Sequence, residues 1–150
     1  MNKLKPSKII AFLLLANICS SAAADCFDEA ANYHNVNSII LRAIVFHESK
    51  FNPQTVNQNT NRSTDIGLAG TNSVHFDELA KFGVNPSDLF VPCKSIYVGA
   101  WMLSKKIRRH GNSWMAVGAY HSETPYLRDI YALKIRNIVE SWIEKGYFTR

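Results

Sequence analysis

Metal-ligating residues are scarce in this sequence and poorly spaced for a metal site. The chain has three cysteines and five histidines, and no histidine lies at metal-ligand spacing from Cys26 or Cys93. No two histidines lie at the short spacing that zinc ligands show. The sequence therefore predicts no metal and no other cofactor.

Long apolar runs are also missing beyond the N-terminus. Residues 1–8 carry three lysines, residues 9–18 are largely apolar, and residues 22–24 are all alanine. This three-part pattern is typical of a secretory signal peptide, and its apolar stretch is short for a membrane span. We expect cleavage after Ala24, a periplasmic mature domain over residues 25–150, and no membrane span in that domain.

A strong excess of positive charge is missing once this leader is set aside. The whole chain has 17 basic and 12 acidic residues, a net charge of +5, but three of the lysines belong to the leader, which leaves +2. A charge this small gives no support to nucleic-acid binding. Lysines, arginines and one histidine between positions 105 and 110 form a local basic run. It is either the solvated face of a helix or a weak attractor of an anionic cell-wall polymer.

Two cysteines, Cys26 and Cys93, remain after removal of the leader. An even number in an exported protein indicates a disulfide. Such a bridge would tie the start of the mature domain to a segment in the middle of the chain. The chain-entropy model gives it about 4 kcal/mol of stability.

The rest of the mature chain predicts helices around one polar insert. Hydrophobic periodicity, caps and glycine stops predict helices near residues 26–33, 38–52, 74–82, 94–110, 113–120 and 125–146, with a turn at 85–88. Ser38 is the expected cap of the second helix and Ser113 that of the fifth, and Pro125 opens the last helix. Residues 54–72 are rich in Asn, Thr and Ser, which favours a loop or a small β-hairpin. A polar segment of this length in a compact domain is usually functional. The fold class is therefore mainly α, a helical domain with a small polar loop or β-hairpin insert.

One carboxylate stands among apolar residues of the second predicted helix. The apolar stripe of this helix consists of Ile40, Leu41, Ile44 and Val45. Glu48 follows Ile44 by one helical turn and shares the stripe. Burial there raises the pKa of a carboxyl, as a general acid working near neutral pH requires. The alternative is a helix-end glutamate whose side chain turns toward solvent.

Three segments together resemble the lysozyme-like lytic transglycosylases. Residues 43–53, with their Glu-Ser pair, look like the catalytic helix of that family. Residues 65–76 are similar to its second motif, and residues 116–120 match its third. Each motif is weak alone, whereas their order and spacing across nearly the whole mature chain are specific. The resemblance implies a lysozyme-like α+β domain whose polar insert flanks an active-site groove. It also implies a monomer that acts on peptidoglycan glycan strands.

The sequence around each mature cysteine also resembles the small members encoded with type III secretion, type IV pilus and conjugation systems. Components of such a machine are therefore candidate partners. Local remodelling of the cell wall during its assembly is the expected role.

The resemblance implies a reaction with a single carboxylate. Glu48 would protonate the glycosidic oxygen between N-acetylmuramic acid and N-acetylglucosamine, while the substrate's own N-acetyl group assists at the anomeric carbon. The resulting carboxylate would take the proton from the muramic 6-hydroxyl, and a 1,6-anhydro product would form. Most glycosidases instead use two carboxylates.

Other residues take roles from the same resemblance. Tyr120 would orient Glu48 through its hydroxyl, although its apolar neighbours also fit a core aromatic residue. Ser49 would hold the nearby loop, and Asn72 would bond the sugar. The expected substrate-binding positions are Ser49, Gly67, Leu68, Asn72 and His121.

The second motif departs from the family pattern, which usually reads Gly-Leu-Met-Gln-Ile-Asn. The Met, Gln and Ile positions are here Ala69, Gly70 and Thr71. The family's Met and Gln lie in the sugar-binding groove, so we expect binding weaker by about 1–3 kcal/mol. Ala69→Met with Gly70→Gln is then expected to raise activity, provided that Gly70 does not occupy a backbone conformation closed to other residues. The alternatives are a catalytically weakened peptidoglycan-binding protein and a structural partner of a secretion apparatus.

Asp65 offers a second carboxylate. It follows Glu48 by 17 residues and lies in the polar insert, where animal-type lysozymes also place an aspartate. In that role it would make the protein a lysozyme-like hydrolase. Otherwise it is a turn residue that bonds its own backbone beside Gly67.

Overall fold

A computed structural model describes residues 21–148, with side chains from Cys26 onward. The expected leader lies outside these residues except for the backbone of its last four, so cleavage after Ala24 stays a prediction. Among the described residues, no helix is both long enough and apolar enough to span a bilayer.

Six α-helices and one three-stranded sheet form the described part of the chain. The helices are α1 (Ser21–His34), α2 (Ser38–Ser49), α3 (Phe76–Ala80), α4 (Pro92–His110), α5 (Trp114–His121) and α6 (Pro125–Glu144). The strands are β1 (Val56–Gln58), β2 (Thr64–Ile66) and β3 (Thr71–Asn72), and 3-10 turns lie at Ser73–His75 and Pro86–Phe90. This is the mainly helical architecture with a small β insert that the sequence predicts.

Helix α2 carries Glu48 close to its C-terminal end. The side chain of Asn37 accepts hydrogen bonds from two N–H groups of the first turn, at 2.9 and 3.0 Å. Asn37, and not Ser38, is therefore the capping residue. Lys50 adopts a left-handed conformation with φ 54° and ends the helix, before the boundary expected at Asn52.

The polar insert folds as an antiparallel sheet in the order β1-β2-β3, one strand more than the expected hairpin. Asp65 on β2 lies opposite Asn57 on β1 and opposite Asn72 on β3. Directly opposed residues place their side chains on the same face of a sheet. The register therefore brings Asp65 and Asn72 together.

The main core lies between α2, α4, α5 and α6. Its fully buried members include Ile44, Leu103 and Ile135, and Tyr120 and Tyr131 belong to the same cluster. A second apolar cluster packs α1 against α2 and α4. The Cys26–Cys93 disulfide joins α1 to α4, with Cα atoms 5.5 Å apart, as the sequence predicts.

Thr71 is fully buried, and its hydroxyl has no hydrogen-bond partner within the described residues. Leaving such a group unsatisfied costs about 1–3 kcal/mol. Thr71→Val replaces the hydroxyl by a methyl group at nearly constant shape, so we expect the free energy of unfolding to rise by about 1 kcal/mol. Urea denaturation measures this change. Thr60→Val, at an exposed threonine, is the control, and an unchanged or lower stability of Thr71→Val would contradict the assignment.

Candidate active site

A polar groove of about 570 Å³ lies between the sheet and the helices. Both carboxylates that the sequence singles out, Glu48 and Asp65, face it, and so do Asn72, Tyr120 and His121. A second cavity of about 640 Å³, mostly apolar, lies between α1, α3 and α4, and the carboxylate that lines it, Asp88, is paired with Lys94 at 2.6 Å. The polar groove, with its two carboxylates, is the candidate active site.

Glu48 is partly buried at the edge of the groove. The hydroxyl of Tyr131, on α6, donates a hydrogen bond to Glu48 Oε1. The pKa of Glu48 is raised to about 7, chiefly by burial; the Tyr131 hydrogen bond opposes this rise and the charge of Asp65 adds to it. A carboxyl with such a pKa is present in both protonation states near neutral pH. It can therefore donate a proton in one step and accept one in the next.

Tyr131, and not Tyr120, holds the carboxyl of Glu48. Tyr120 is 8% exposed, and its hydroxyl donates to the carbonyl of Ala69 at 2.8 Å. The hydroxyl proton of Tyr120 is therefore donated to Ala69 and not to Glu48, although Tyr120 does line the groove. Burial raises the pKa of both tyrosines well above the ordinary value, so both remain protonated hydrogen-bond donors.

Three aromatic rings lie close to the Tyr131 ring. The His121 ring stacks on it with centroids 5.0 Å apart and an interplanar angle of 4°. Tyr120 stacks at 6.4 Å, and His47 meets the ring edge-on at 5.2 Å. His121, expected to bind substrate, thus lies in the groove and also fixes the residue that holds Glu48.

Asp65 is fixed by two side-chain amides. Asn59 donates to its Oδ2 at 2.9 Å, and Asn72 donates to its Oδ1 at 2.6 Å. Asp65 is therefore a strand residue facing the groove, which corrects its interpretation as a turn residue bonded to its own backbone. Asn72 also donates to Ser63 at 2.9 Å. Both amide hydrogens of Asn72 are used within the protein, and its side-chain oxygen accepts from the N–H of Val74 at 3.0 Å. Only a second lone pair of that oxygen is left for the expected bond to the sugar.

Three expected substrate-binding residues lie outside the groove. Ser49 is 7% exposed, and its hydroxyl donates to the carbonyl of Val45 at 3.0 Å, within its own helix. Leu68 is 5% exposed and belongs to the apolar cluster with α1. Gly67 has φ 74°, and an added Cβ would lie 2.0 Å from a backbone oxygen of Leu89. These positions shape the backbone near the site, and the sequence pattern does not separate such residues from substrate contacts.

The structure shows why the second motif carries small residues at positions 69 and 70. Ala69 is fully buried, and a Cβ added at Gly99 would lie 2.8 Å from the Ala69 Cβ, so a methionine has no room there. Gly70 does line the groove, but it has φ 59°, and an added Cβ would lie 2.7 Å from Glu48 Oε2. The condition on which Ala69→Met with Gly70→Gln would raise activity is therefore not met, because the backbone at Gly70 has a positive φ.

Comparisons with known proteins agree on one family. The model of the transglycosylase SLT domain matches residues 25–129. Protein IpgF of Shigella flexneri is 36% identical over 87% of this chain and 92% of its own length. Invasion protein IagB of Salmonella typhimurium is 41% identical over 85% of this chain and 81% of its own length.

A solved structure has a similar fold. It is the lytic transglycosylase Slt of Pseudomonas aeruginosa, determined as an inactive mutant in which a glutamate is replaced by glutamine. The likeness has a TM-score of 0.66 at 18% identity and covers 85% of this chain. This chain spans 25% of the length of that one. The likeness confirms the expected lysozyme-like fold.

Proposed function

The chain belongs to the transglycosylase SLT domain family, and on this premise we propose that it cleaves peptidoglycan as a lytic transglycosylase with Glu48 as both acid and base. The observation that carries the proposal is the environment of Glu48. The pKa of its carboxyl is raised to about 7. The carboxyl accepts a hydrogen bond from Tyr131 and faces a polar groove. No second acid or base is required, because the substrate's N-acetyl group assists at the anomeric carbon.

The steps follow from the two protonation states of Glu48. The protonated carboxyl gives its proton to the glycosidic oxygen between N-acetylmuramic acid and N-acetylglucosamine as that bond breaks. The carboxylate that remains takes the proton of the muramic 6-hydroxyl, whose oxygen attacks the anomeric carbon and closes the 1,6-anhydro ring. Glu48 ends protonated, ready for the next cycle.

Tyr131 stabilises the ionised form of Glu48 between these steps. Tyr131→Phe removes this hydrogen bond, so we expect a loss of about tenfold or more in kcat. The pKa of Glu48 is expected to rise further, because the lost bond lowers it. The alkaline limb of the pH–rate profile then moves to higher pH. Release of muropeptides from purified peptidoglycan, followed as a function of pH, measures both effects.

Tyr120→Phe is the matched control for that variant. It also removes one buried phenol hydroxyl, but one that bonds the Ala69 carbonyl. We expect it to leave the pH dependence unchanged. If Tyr131→Phe keeps the rate and pH profile of the wild type, Tyr131 has no part in controlling Glu48.

Hydrolysis is the second candidate function, because Asp65 faces the same groove as Glu48. In that case Asp65 would act as the second carboxylate of a lysozyme-like hydrolase. Both of its oxygens, however, already accept hydrogen bonds from amides. This arrangement favours Asp65 as a fixed negative charge that helps keep Glu48 protonated.

A periplasmic location and a partner in the cell envelope complete the proposal. The leader pattern and the Cys26–Cys93 disulfide support export to an oxidising compartment. One relative is named an invasion protein, which supports a role beside a secretion machine. Type IV pilus and conjugation systems are the alternatives from the sequence resemblance. Local opening of the wall, rather than bulk lysis, fits such a role.

A further inference from the structure

We propose that His75 is a substrate-binding residue that recognises the acetamido group of one sugar in the polar groove. The imidazole donates a hydrogen bond to the acetyl carbonyl, and the apolar side chains beside it contact the acetyl methyl group. This inference rests on the proposed function and deepens it, because it names a contact that selects N-acetylated sugars at the same site.

His75 lines the groove from the 3-10 turn that follows β3. The side chain of Asn72 caps this turn by accepting from the N–H of Val74 at 3.0 Å. The turn therefore holds His75 close to the sheet residue that bonds Asp65. The His75 side chain is half-buried, and the part that remains accessible is available to a ligand in the groove.

The ring nitrogens of His75 differ from most polar groups of the groove in having no partner there. Asp65, Asn72 and Tyr120 all hydrogen-bond to other groups of the protein. The His75 side chain makes no hydrogen bond to any other residue that the structure describes. Its hydrogen-bonding capacity is therefore free for substrate.

The surroundings of His75 favour an uncharged ligand group. Burial lowers the pKa of His75 below its ordinary value of 6.5, and the charges of Lys105 and Lys106 add to this effect, whereas Glu78 opposes it. A neutral imidazole has one N–H donor and one nitrogen acceptor. Both lysines are also paired at 2.6 Å, one with Glu78 and the other with Glu123. This arrangement favours an acetamido group over the carboxylates of the peptide stems that peptidoglycan carries.

Apolar side chains line the same end of the groove. Val74 is the neighbour of His75 in the chain, and Met102 lies on α4 one turn before the two lysines whose charges act on His75. An acetamido group has a polar carbonyl and an apolar methyl group, so it matches a polar ring beside apolar side chains. A sugar hydroxyl has no apolar part and would leave Val74 and Met102 without a contact.

Calorimetric titration with an N-acetylated chitin tetramer, and with its unacetylated glucosamine counterpart, tests this contact. Both ligands lack peptide stems, and every protein carries Glu48→Gln so that neither ligand is cleaved. His75→Phe keeps a ring of similar size without the ring nitrogens. We expect it to bind the N-acetylated tetramer about five- to tenfold more weakly than protein with His75 does, and the glucosamine tetramer equally well. His34→Phe, at a histidine of the second cavity, is the matched control and should leave both affinities unchanged.

His75→Gln is a second variant, which keeps a donor and an acceptor in a flexible side chain. It should bind the N-acetylated tetramer more tightly than His75→Phe, and the opposite order would overturn the proposal. Unchanged affinity of His75→Phe for the N-acetylated tetramer, or an equal loss for both tetramers, would also overturn it. So would the absence of binding of the N-acetylated tetramer at millimolar concentration when His75 is present.

Cleavage of soluble glycan strands gives an independent readout in the presence of Glu48. A residue that binds substrate and transition state equally affects KM and not kcat. His75→Phe should therefore raise KM about five- to tenfold and keep the wild-type kcat, and a lower kcat at unchanged KM would overturn the proposal. A wild-type protein that binds the N-acetylated tetramer but cleaves no strand would instead refute the proposed function, and the titrations would still decide the role of His75.

Discussion

Glu48→Gln is expected to abolish muropeptide release from peptidoglycan while the protein remains folded. Glutamine keeps nearly the same shape and can still accept the Tyr131 hydrogen bond, but it has no proton to transfer to the glycosidic oxygen. General acid–base catalysis contributes about 10²- to 10⁴-fold, and the proposed mechanism uses Glu48 in both of its steps. The loss is therefore expected near the upper end of that range. Circular dichroism and the thermal midpoint show whether the fold is kept.

Asp65→Asn is the matched comparison, since it also converts a groove carboxylate into an amide. In the single-carboxylate mechanism it removes only a nearby negative charge, so the loss of rate should be far smaller. The pKa of Glu48 should fall, because the Asp65 charge raises it. If Asp65→Asn is as damaging as Glu48→Gln, with folding unharmed, the hydrolase with two carboxylates becomes the better account.

Glu48→Gln should also change how stability depends on pH. The pKa of Glu48 is about 7 in the folded protein, against an ordinary value of 4.5. Between these values the folded state holds a proton that the unfolded state releases, so stability falls as the pH rises through this window. Glutamine removes this loss. The thermal midpoint of the variant minus that of the wild type should therefore increase as the pH rises from about 5 to about 8. A difference that does not change with pH would mean that the pKa of Glu48 is not raised.

Loss of the Cys26–Cys93 disulfide is expected to have the largest effect on stability. The two cysteines are 67 residues apart in sequence, and a closed loop of that length contributes about 4 kcal/mol in the chain-entropy model. The double variant Cys26→Ala with Cys93→Ala should show this loss in urea denaturation. Wild-type protein treated with a thiol reductant should lose a similar amount.

The disulfide variant also separates stability from catalysis. Neither cysteine lines the polar groove, so the folded fraction of the double variant should cleave at the wild-type rate. A loss below about 1 kcal/mol would contradict the chain-entropy account for this protein. A folded variant without activity would show that the bridge shapes the groove from a distance.

Features set by neighbours in sequence could be predicted from the sequence. The apolar stripe of α2 carries Glu48 to the groove, the side chain of Ser113 caps α5 by accepting from Ala116 at 3.3 Å, and Pro125 begins α6. These features depend on helical periodicity, capping and the fixed φ of proline. The cap of α2 was misplaced by one position because Asn37 and Ser38 are both good capping residues.

Features set by contacts distant in sequence could not be predicted. Tyr131 lies on an amphipathic stripe and looks like a core residue there, while the carboxyl that it bonds is 83 positions away. Gly70 looks like a lost groove side chain until its contact with Glu48 is seen. The family motifs indicate which segments meet, but the partner of each side chain follows only from the packing of helices and sheet.

Mass analysis of the muropeptides released in isotopically labelled water tests the central claim most directly. If Glu48 acts alone, the muramic ends are 1,6-anhydro groups and carry no label, because the 6-hydroxyl of the sugar and not water attacks the anomeric carbon. Reducing ends labelled from water would contradict this account. They would show hydrolysis, with Asp65 as the candidate second carboxylate.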